Sequence, residues 1–524
     1  MAGRPRFVRA MPAASPRPPH ILYNPRVEFI GWMYDLAREQ SPQEHLLEDM
    51  LTRSHAAGYN AVGLYLEHRF AYPSAPFVAG PGCLTPETVR RLAARFGPRG
   101  LRIIPFLNTL GHMEGFIRSE GGQWLAEGDR GCGGVQICAT RPECARFAQN
   151  LVADALNAFD DEWIHLGGDE TRQLGQCPQC ASRVAQVGPG GLYAEYFSRL
   201  CRFVLERGRR PCLWGDMLIQ HPESLDVIPP QTVIFDWHYD RRPSESTRMF
   251  RARGFDVVCC PAVHTFDASW CFLGLSQRNI DEHAEDARQL GALGVLVTTW
   301  ELSCFTHYTG ILPLIYAAGR RLASGTPWDA AIAAEGGPAY AQAAEILGEH
   351  IPNSSAFLRP GTWRQLREHF VIRQNPFALW PAWRDEACGP VGDEILRLCQ
   401  QAGQLLPPDH PLQLAVELHR VAVAWVRLVE RAYQHYAAGR VPACITELES
   451  GGELLERLRP GLTRAADAGG STADLARLDR LIQRIQTVCH HLRTLPDRYR
   501  PAFQTLLSPA YVPGDQAAWQ TARG

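Results

Sequence analysis

The sequence contains no lysine, so that all 53 of its basic residues are arginine. They are balanced by 55 acidic residues, which leaves a formal net charge of −2. Because positive charge is not in excess, the composition gives no indication of a basic surface that would bind nucleic acid or an anionic membrane. No stretch approaches the ~20 consecutive apolar residues of a membrane span. These absences favour an ordinary globular protein, and 524 residues are enough for two domains.

A secretory signal is also missing from the start of the sequence. Residues 1–20 are basic and proline-rich but lack an apolar run. We therefore expect a disordered arm at 1–20 and a cytoplasmic protein. The 16 cysteines are then expected to be reduced thiols, most of them small core residues.

The cysteines include one C-x-x-C motif, formed by Cys177 and Cys180, with Cys132, Cys138 and Cys144 upstream. A structural zinc site needs four ligands, and no second well-spaced pair accompanies the motif. A reduced loop hairpin is therefore favoured over a small metal clip, and the sequence predicts no metal and no cofactor. Treatment with a chelator would distinguish these two interpretations.

Short β-rich runs alternate with helical stretches from about residue 25 to residue 320. A capping box at 41–44 and the Thr85-Pro86-Glu87 sequence each indicate the start of a helix. Near-continuous apolar strands that alternate with helices indicate a parallel sheet covered on its faces. The predicted strands are 27–35, 60–67, 101–108, 162–169, 210–216, 232–237, 255–263 and 294–301.

Eight such units match the strand count of an α/β fold of the (β/α)₈ TIM-barrel type, which we predict for residues 21–325. A doubly wound open sheet is disfavoured because no G-x-G-x-x-G motif follows the first strand. Beyond this region, helical periodicity in 411–436 and 474–492 predicts a C-terminal α-helical domain over 326–524. A loop at 374–386 could alternatively reach the active face or a partner in a homodimer.

The predicted strands end in polar and aromatic residues. Catalytic groups of (β/α)₈ barrels come from these carboxyl ends, whereas an interior filled only for stability favours Val, Ile and Leu. Three tryptophans suit a ligand with flat apolar faces and hydroxyl edges, which indicates a sugar. The strand-end residues are Asp35, Glu67, Asn108, Asp169, Glu170, Trp214, Asp216, Trp237, His264, Trp300 and Glu301.

Two adjacent carboxylates, Asp169 and Glu170, follow the fourth strand in the stretch WIHLGGDETRQLG. On a regular strand they would point to opposite faces, but Gly167 and Gly168 let the backbone twist so that both face one cavity. Two acids held close cannot both ionise easily, and a protonated acid beside an ionised one is what glycosidic cleavage requires. Alternatively, Asp169 or Thr171 caps a helix, worth ~1 kcal/mol.

The stretch His165–Glu170, HLGGDE, resembles the H-x-G-G-D-E signature of glycoside hydrolase family 20, the β-N-acetylhexosaminidases. Gly111-His112 and Trp300-Glu301 agree with the family in the same order. The segments 66–72 and 109–114 most resemble the hexosaminidase D-like branch. The resemblance covers about residues 25–320.

This resemblance implies exo-acting, substrate-assisted retaining hydrolysis of a terminal GlcNAc or GalNAc on a glycoconjugate or oligosaccharide. Glu170 is expected to be the general acid. Asp169 is expected to hold the N–H of the sugar's 2-acetamido group, whose carbonyl oxygen attacks C1. His112 and Glu67 are expected to form a relay that tunes Glu170. The expected substrate-binding residues are Trp214, Trp237, Tyr239, Trp300, Glu301 and Asp35.

Other interpretations of these residues remain open. His165 is more simply a hydrogen-bonded interior histidine, Trp214 and Trp237 could be core residues, and Glu67 could pair with Arg69 on the surface. The family's strand-one arginine is replaced by Ile30, so that Arg38 or Arg69 substitutes for it or the preferred sugar differs. The rivals to a hexosaminidase are a glycosidase for another sugar and an inactive carbohydrate-binding relative.

Overall fold

A closed barrel of eight parallel strands forms the N-terminal part of the molecule, as predicted. The computed structural model describes residues 27–38, 40–128, 134–265, 270–300, 307–351, 385–469 and 473–494. The strands are β1 Phe29–Asp35, β2 Ala61–Tyr65, β3 Arg102–Phe106, β4 Trp163–His165, β5 Arg210–Trp214, β6 Val233–Trp237, β7 Asp256–Cys260 and β8 Gly294–Thr299.

Each strand pairs with its neighbours in chain order, and β1 pairs with β8 to close the barrel, with Ile30 opposite Val295. A two-residue extension of β7, Ala262–Val263, adds a further pairing with β8. Every predicted strand is present, but β4 is much shorter than predicted. It ends at His165 because two glycines with positive φ follow at once and take the backbone out of the extended region.

Helices cover the outside of the barrel. Helix α2 begins as predicted, with the Thr85 hydroxyl accepting the Thr88 N–H at 3.2 Å. The predicted capping box at 41–44 is wrong, because α1 begins at Glu44 and the Ser41 hydroxyl instead accepts from Arg69. The barrel helices are α1 Glu44–Ala56, α2 Pro86–Phe96, α3 Glu114–Ile117, α4 Pro142–Ala158, α5 Pro178–Leu205, α6 Asp216–Gln220, α7 Ser244–Ala252, α8 Leu273–Gln289 and α9 Leu312–Ser324.

Aromatic rings fill the interior of the barrel. Phe106 stacks on His165 with ring centroids 4.5 Å apart, and Phe29 lies 5.1 Å from Trp163. All four residues are buried. The interior is therefore a packed core and not a pore, so that a ligand can be bound only at an end of the barrel.

The C-terminal region is helical, as predicted. Hydrogen bonds connect this region to the barrel. The Tyr340 hydroxyl donates to Gly310 O at 2.9 Å, and the Ser41 N–H donates to Gly469 O at 2.8 Å. The α-helices in the described part of this region are α10 Trp328–Glu345, α11 Pro390–Leu405, α12 Gln413–Ala437, α13 Val441–Glu456, α14 Arg459–Asp467 and α15 Ala473–Thr494.

Some predictions fall on residues that the structure does not describe. The expected arm at 1–20, residues 374–384 of the predicted loop, Cys132 and Glu301 lie outside the described residues. Among the helices of the described part of the chain, none combines the length and apolar character needed to span a membrane.

Candidate active site

The turn after β4 presents the two adjacent carboxylates. Gly167 and Gly168 have φ values of 77° and 98°, a region that L-residues rarely adopt. A Cβ atom on Gly168 would come within 2.7 Å of the Tyr193 hydroxyl, which donates to Gly168 O at 3.0 Å. The two glycines are therefore required by conformation and by crowding. Helix α5 begins only at Pro178, which excludes Asp169 and Thr171 as its N-cap.

Asp169 and Glu170 both reach the same imidazole ring. His112 Nε2 lies 3.3 Å from Asp169 Oδ2 and 3.4 Å from Glu170 Oε2, and its Nδ1 lies 3.9 Å from Glu114 Oε1. Burial by itself lowers the pKa of His112, but the Asp169 charge and the contacts with Glu114 and Glu170 raise it well above its ordinary value. A protonated His112 therefore offsets the repulsion between the adjacent acids.

Three residues that are not glycine adopt positive φ in the described part of the chain: Glu67 at 39°, His112 at 52° and Glu170 at 47°. All three were predicted as catalytic from the sequence. A left-handed backbone is unfavourable for side chains of this size, and such strain concentrates at functional sites. The backbone at these positions is also closely packed. A Cβ atom on Gly111, next to His112, would lie only 2.8 Å from Asp169 O.

One oxygen of Asp169 is buried without a hydrogen-bond partner among the described residues. Its Oδ2 contacts His112, whereas Oδ1 accepts no bond. A buried acceptor that is left unsatisfied costs about 1–3 kcal/mol. Such an atom is suited to accept an N–H from a bound ligand.

Asp216, at the start of α6, is a third acid of the site. Its Oδ2 accepts the Glu170 N–H at 3.0 Å and thereby holds the strained residue in place. Burial and then the Asp169 charge raise the pKa of Asp216 to about 7. The sequence placed Asp216 at a strand end but assigned it no role, although its Trp-Gly-Asp context after β5 was the available signal.

Aromatic side chains surround the space beside the carboxylates. Trp300 Nε1 donates to the Tyr239 hydroxyl at 2.7 Å, and Tyr239 stacks on Trp237 at 5.0 Å with planes 25° apart. Tyr65 meets Trp300 edge-on at 5.1 Å. Burial raises the pKa of Tyr239, so that it remains a neutral hydroxyl near Asp169. Trp237, Tyr239 and Trp300 are half-buried and can contact a ligand.

Trp214 and His165 lie deeper. Trp214 is fully buried, 4.3 Å from the His165 ring and 6.1 Å from the Trp300 ring, and therefore belongs to the core below the site. His165 Nδ1 accepts the Gly167 N–H at 3.0 Å, and burial holds the pKa of this histidine well below its ordinary value. His165 is thus the neutral interior histidine that the simpler interpretation predicts.

The expected contact between His112 and Glu67 is wrong. Glu67 Oε2 lies 3.3 Å from His68 Nδ1, and its Oε1 accepts the Gly115 N–H at 3.3 Å. The alternative pair with Arg69 is not formed either. The left-handed turn at His112 directs its ring toward the end of β4, so that Glu114 takes the place expected for Glu67.

Asn108 was named only as a strand end, but it holds the His112 turn. Its side-chain amide donates to His112 O at 3.0 Å and to the Tyr65 hydroxyl at 2.7 Å. Asn108 therefore links the His112 loop to the aromatic wall.

Of the two arginines considered as substitutes for the family arginine, Arg38 lies at the site. Its Cζ is 5.5 Å from the ring centroids of both Tyr65 and Trp300. Asp35, fully buried at the end of β1, pairs with Arg38 at 3.2 Å and therefore positions it. Arg69 instead donates to Pro81 O at 3.2 Å.

The fold and the site together define a (β/α)₈ barrel with paired acids and aromatic walls at the carboxyl ends of its strands, an arrangement that suits glycosidic cleavage. Residues 55–288 match the family model of the glycosyl hydrolase family 20 catalytic domain. This match covers less than half of the chain and agrees with the resemblance carried by its H-x-G-G-D-E motif.

The curated proteins that this chain resembles share little sequence identity with it. A β-hexosaminidase of Vibrio furnissii is 23% identical over 292 residues, which are 47% of this chain and 46% of the relative. A β-hexosaminidase of Akkermansia muciniphila is 24% identical over 155 residues, 27% of this chain and 31% of the relative. The chain thus spans less than half the length of these curated relatives. A crystal structure of a β-N-acetylhexosaminidase from Bacteroides fragilis is similar at 20% identity and a TM-score of 0.48, covering 58% of this chain and 68% of that one.

The raised pKa of Asp216 predicts a pH-dependent stability. The folded chain keeps this proton up to a pH of about 7, whereas an unfolded aspartate releases it near pH ~4. The folded state binds more protons in this window, so that the free energy of unfolding falls as the pH rises. Asp216→Asn should reduce this fall by roughly 1–3 kcal/mol, since a tenfold change in proton affinity is worth about 1.4 kcal/mol.

Urea unfolding at a pH of about 5 and of about 8 measures this difference. Asp226→Asn, whose wild-type side chain is 76% exposed, is the matched control and should keep the wild-type pH dependence. An unchanged pH dependence in Asp216→Asn would contradict the assignment of a proton to this carboxyl.

Proposed function

We propose that the protein is an exo-acting β-N-acetylhexosaminidase that releases a terminal GlcNAc or GalNAc by substrate-assisted retaining hydrolysis. The observation that carries the proposal is that Asp169 and Glu170, neighbours in the chain, reach one imidazole ring, with Asp169 Oδ1 buried and unsatisfied. In a direct retaining mechanism, the nucleophile lies across the sugar ring from the acid. An adjacent second carboxylate instead fits a reaction in which the substrate supplies its own nucleophile.

Glu170 acts as the general acid in this proposal. Its side chain is 35% exposed, as expected for a group that must reach a leaving-group oxygen. It donates a proton to that oxygen as the C1–O bond breaks. In the second step, it takes a proton from the water that attacks C1, which restores the acid and retains the configuration.

Asp169 orients the nucleophile. Its free oxygen accepts the N–H of the 2-acetamido group, whose carbonyl oxygen then attacks C1 to give an oxazolinium intermediate. Positive charge develops on that ring, and the ionised Asp169 stabilises it. A protonated His112 lies 3.3 Å from the other oxygen of Asp169 and places a positive charge beside this carboxyl group.

The aromatic wall receives the acetamido group. Trp237 and Trp300 present apolar surface to its methyl group, and the neutral Tyr239 hydroxyl donates to its carbonyl oxygen. Tyr239 is held between the two indoles by stacking and by the Trp300 hydrogen bond, so that little ordering is needed on binding. Glu301 as a ligand of the sugar hydroxyls remains a prediction.

The proposal also includes three points about the whole protein. Membership of the hexosaminidase D-like branch, a cytoplasmic location and a homodimer remain predictions from the sequence. Free thiols at all the described cysteines agree with a reducing compartment. The expected partner is a carbohydrate substrate with a terminal N-acetylhexosamine. Binding to nucleic acid or to a membrane is not expected.

Glu170→Gln should lower kcat by about 10²–10⁴-fold on a substrate with an alkyl leaving group, the usual contribution of a general acid. The loss should be much smaller for a nitroaryl leaving group, which departs without protonation. Steady-state kinetics on both substrates measure the ratio. Glu87→Gln, 66% exposed in the wild type, is the control. Equal losses on the two substrates would exclude Glu170 as the acid.

Asp169→Asn should lower kcat on aryl GlcNAc and GalNAc, because the amide of the asparagine no longer fixes the 2-acetamido group as a carboxylate does.

In the wild type, successive fluorination of the acetyl methyl group of the substrate should slow turnover progressively, because it lowers the nucleophilicity of the attacking carbonyl oxygen. Aryl glucoside should be a poor substrate. If the aryl glucoside were turned over faster than the aryl GlcNAc and GalNAc substrates, a glycosidase for another sugar would be favoured. If a thiazoline bound tightly but none of the substrates were hydrolysed, an inactive relative would be favoured.

Arg38 should replace the missing family arginine at the sugar's ring hydroxyls. Hydrogen bonds to a charged group are worth about 1.5–3 kcal/mol, so that Arg38→Gln should lower kcat/KM by roughly 10–100-fold. Removal of the 4-hydroxyl group from the substrate should lower kcat/KM strongly in the wild type and only slightly in Arg38→Gln. Arg69→Gln is the control. A deoxy penalty that is unchanged in Arg38→Gln would contradict this role.

A further inference from the structure

Four side chains of types that can ligate a metal meet in a second cluster. Glu127, Cys138, Cys177 and Cys180 each offer one ligand atom, and these atoms all lie within 4.8 Å of one another. Cys177 is half-buried and the other three residues are buried. Cys177 and Cys180 come from the start of α5, whereas Glu127 and Cys138 come from the loop between β3 and α4.

Three of the six distances among these atoms are close to those of a tetrahedral zinc site. With Zn–S bonds of about 2.3 Å and a Zn–O bond of about 2.0 Å, ligand sulfurs lie ~3.8 Å apart and a sulfur lies ~3.5 Å from the oxygen. Cys138 Sγ is 3.6 Å from both Cys177 Sγ and Cys180 Sγ. Cys180 Sγ is 3.4 Å from Glu127 Oε2.

Hydrogen bonds hold the ligand atoms in these positions. Glu127 Oε1 accepts the N–H groups of Gln176 and Cys177 at 3.0 and 2.9 Å, which turns Oε2 toward the thiols. The Cys180 N–H donates to Cys177 Sγ at 3.3 Å. The Thr140 hydroxyl lies 3.2 Å from Cys180 Sγ. Outer-shell bonds of this kind fix the ligands of metal sites.

We propose that Glu127, Cys138, Cys177 and Cys180 form a structural zinc site. All four positions are filled by protein ligands, which is typical of structural sites, whereas catalytic sites keep one position open. A disulfide between two of the thiols is the competing interpretation, but it gives no role to Glu127. A buried carboxylate that faces sulfur atoms is costly unless a cation compensates its charge.

The site would join the two loops that carry the catalytic residues. The loop from β3 continues past His112, where the Ile137 N–H donates to Leu110 O at 3.0 Å. The loop from β4 contacts it, since the Gln173 N–H donates to Gln136 Oε1 at 3.2 Å. Zinc would therefore stabilise the contact between His112 and the β4 turn without touching the substrate. Metal binding does not depend on the proposed activity.

Zinc content tests the proposal directly. The full chain, purified under reducing conditions and supplied with zinc, should contain about one zinc per chain, as expected for one four-ligand site. Cys180→Ser and Glu127→Gln should lose most of it. Cys144→Ser is the matched control, because Cys144 is buried nearby, donates to Leu125 O at 3.7 Å and is not one of the four clustered residues. Zinc-free wild type, or equal zinc in Cys180→Ser and the control, would overturn the proposal.

Cobalt replacement in the wild type keeps the test valid even if the variants do not fold. Co²⁺ should give thiolate-to-cobalt charge-transfer absorption and the intense ligand-field bands of four-coordination. Chelation should lower the Tm, and zinc but not magnesium should restore it. A wild-type chain with no such bands, or a Cys177–Cys180 disulfide in reduced preparations, would contradict the site.

Discussion

The left-handed turn that ends β4 is the constraint on which the rest of the site depends. A regular strand would send Asp169 and Glu170 to opposite faces. Gly167 and Gly168 avoid this outcome because they adopt positive φ where the Tyr193 hydroxyl and the backbone that follows β3 leave no room for a Cβ atom. Adjacent residues thereby become neighbours across one cavity. The second acid therefore stands beside the first.

Placing acids together creates an electrostatic problem that the surrounding residues solve in different ways. Asp169 and Glu170 share the His112 imidazole, whose raised pKa keeps it charged. Asp216 instead holds its proton to a pH of about 7, because burial and the Asp169 charge disfavour its ionised form. Asp216 thus holds a proton, whereas Asp169 and Glu170 both contact the charged imidazole. The strained backbone at Glu170 is retained because Asp216 accepts its N–H.

Local patterns predicted the fold well, whereas contacts between loops were predicted poorly. All eight strands follow from apolar runs and turn residues, and the polar strand ends include the two carboxylates that meet at His112. The partner of His112 was wrong, because Glu67 and Glu114 are equally plausible acids in sequence and only the direction of a left-handed turn separates them. Asp216 was overlooked because its pKa depends on burial, which sequence spacing does not reveal.

The four-ligand cluster demonstrates the same limit most clearly. The C-x-x-C motif alone argued against a metal because no second pair accompanies it. The remaining ligands are single residues, Cys138 and Glu127, which precede Cys177 and Cys180 by 39 and 53 positions respectively. Only the packing of two barrel loops brings them together. Since successive strands of a barrel are adjacent, their loops lie side by side, and a bond between them restricts both catalytic segments at once. Long loops of this kind are otherwise the least stable parts of a barrel, so that a structural cross-link is most effective there.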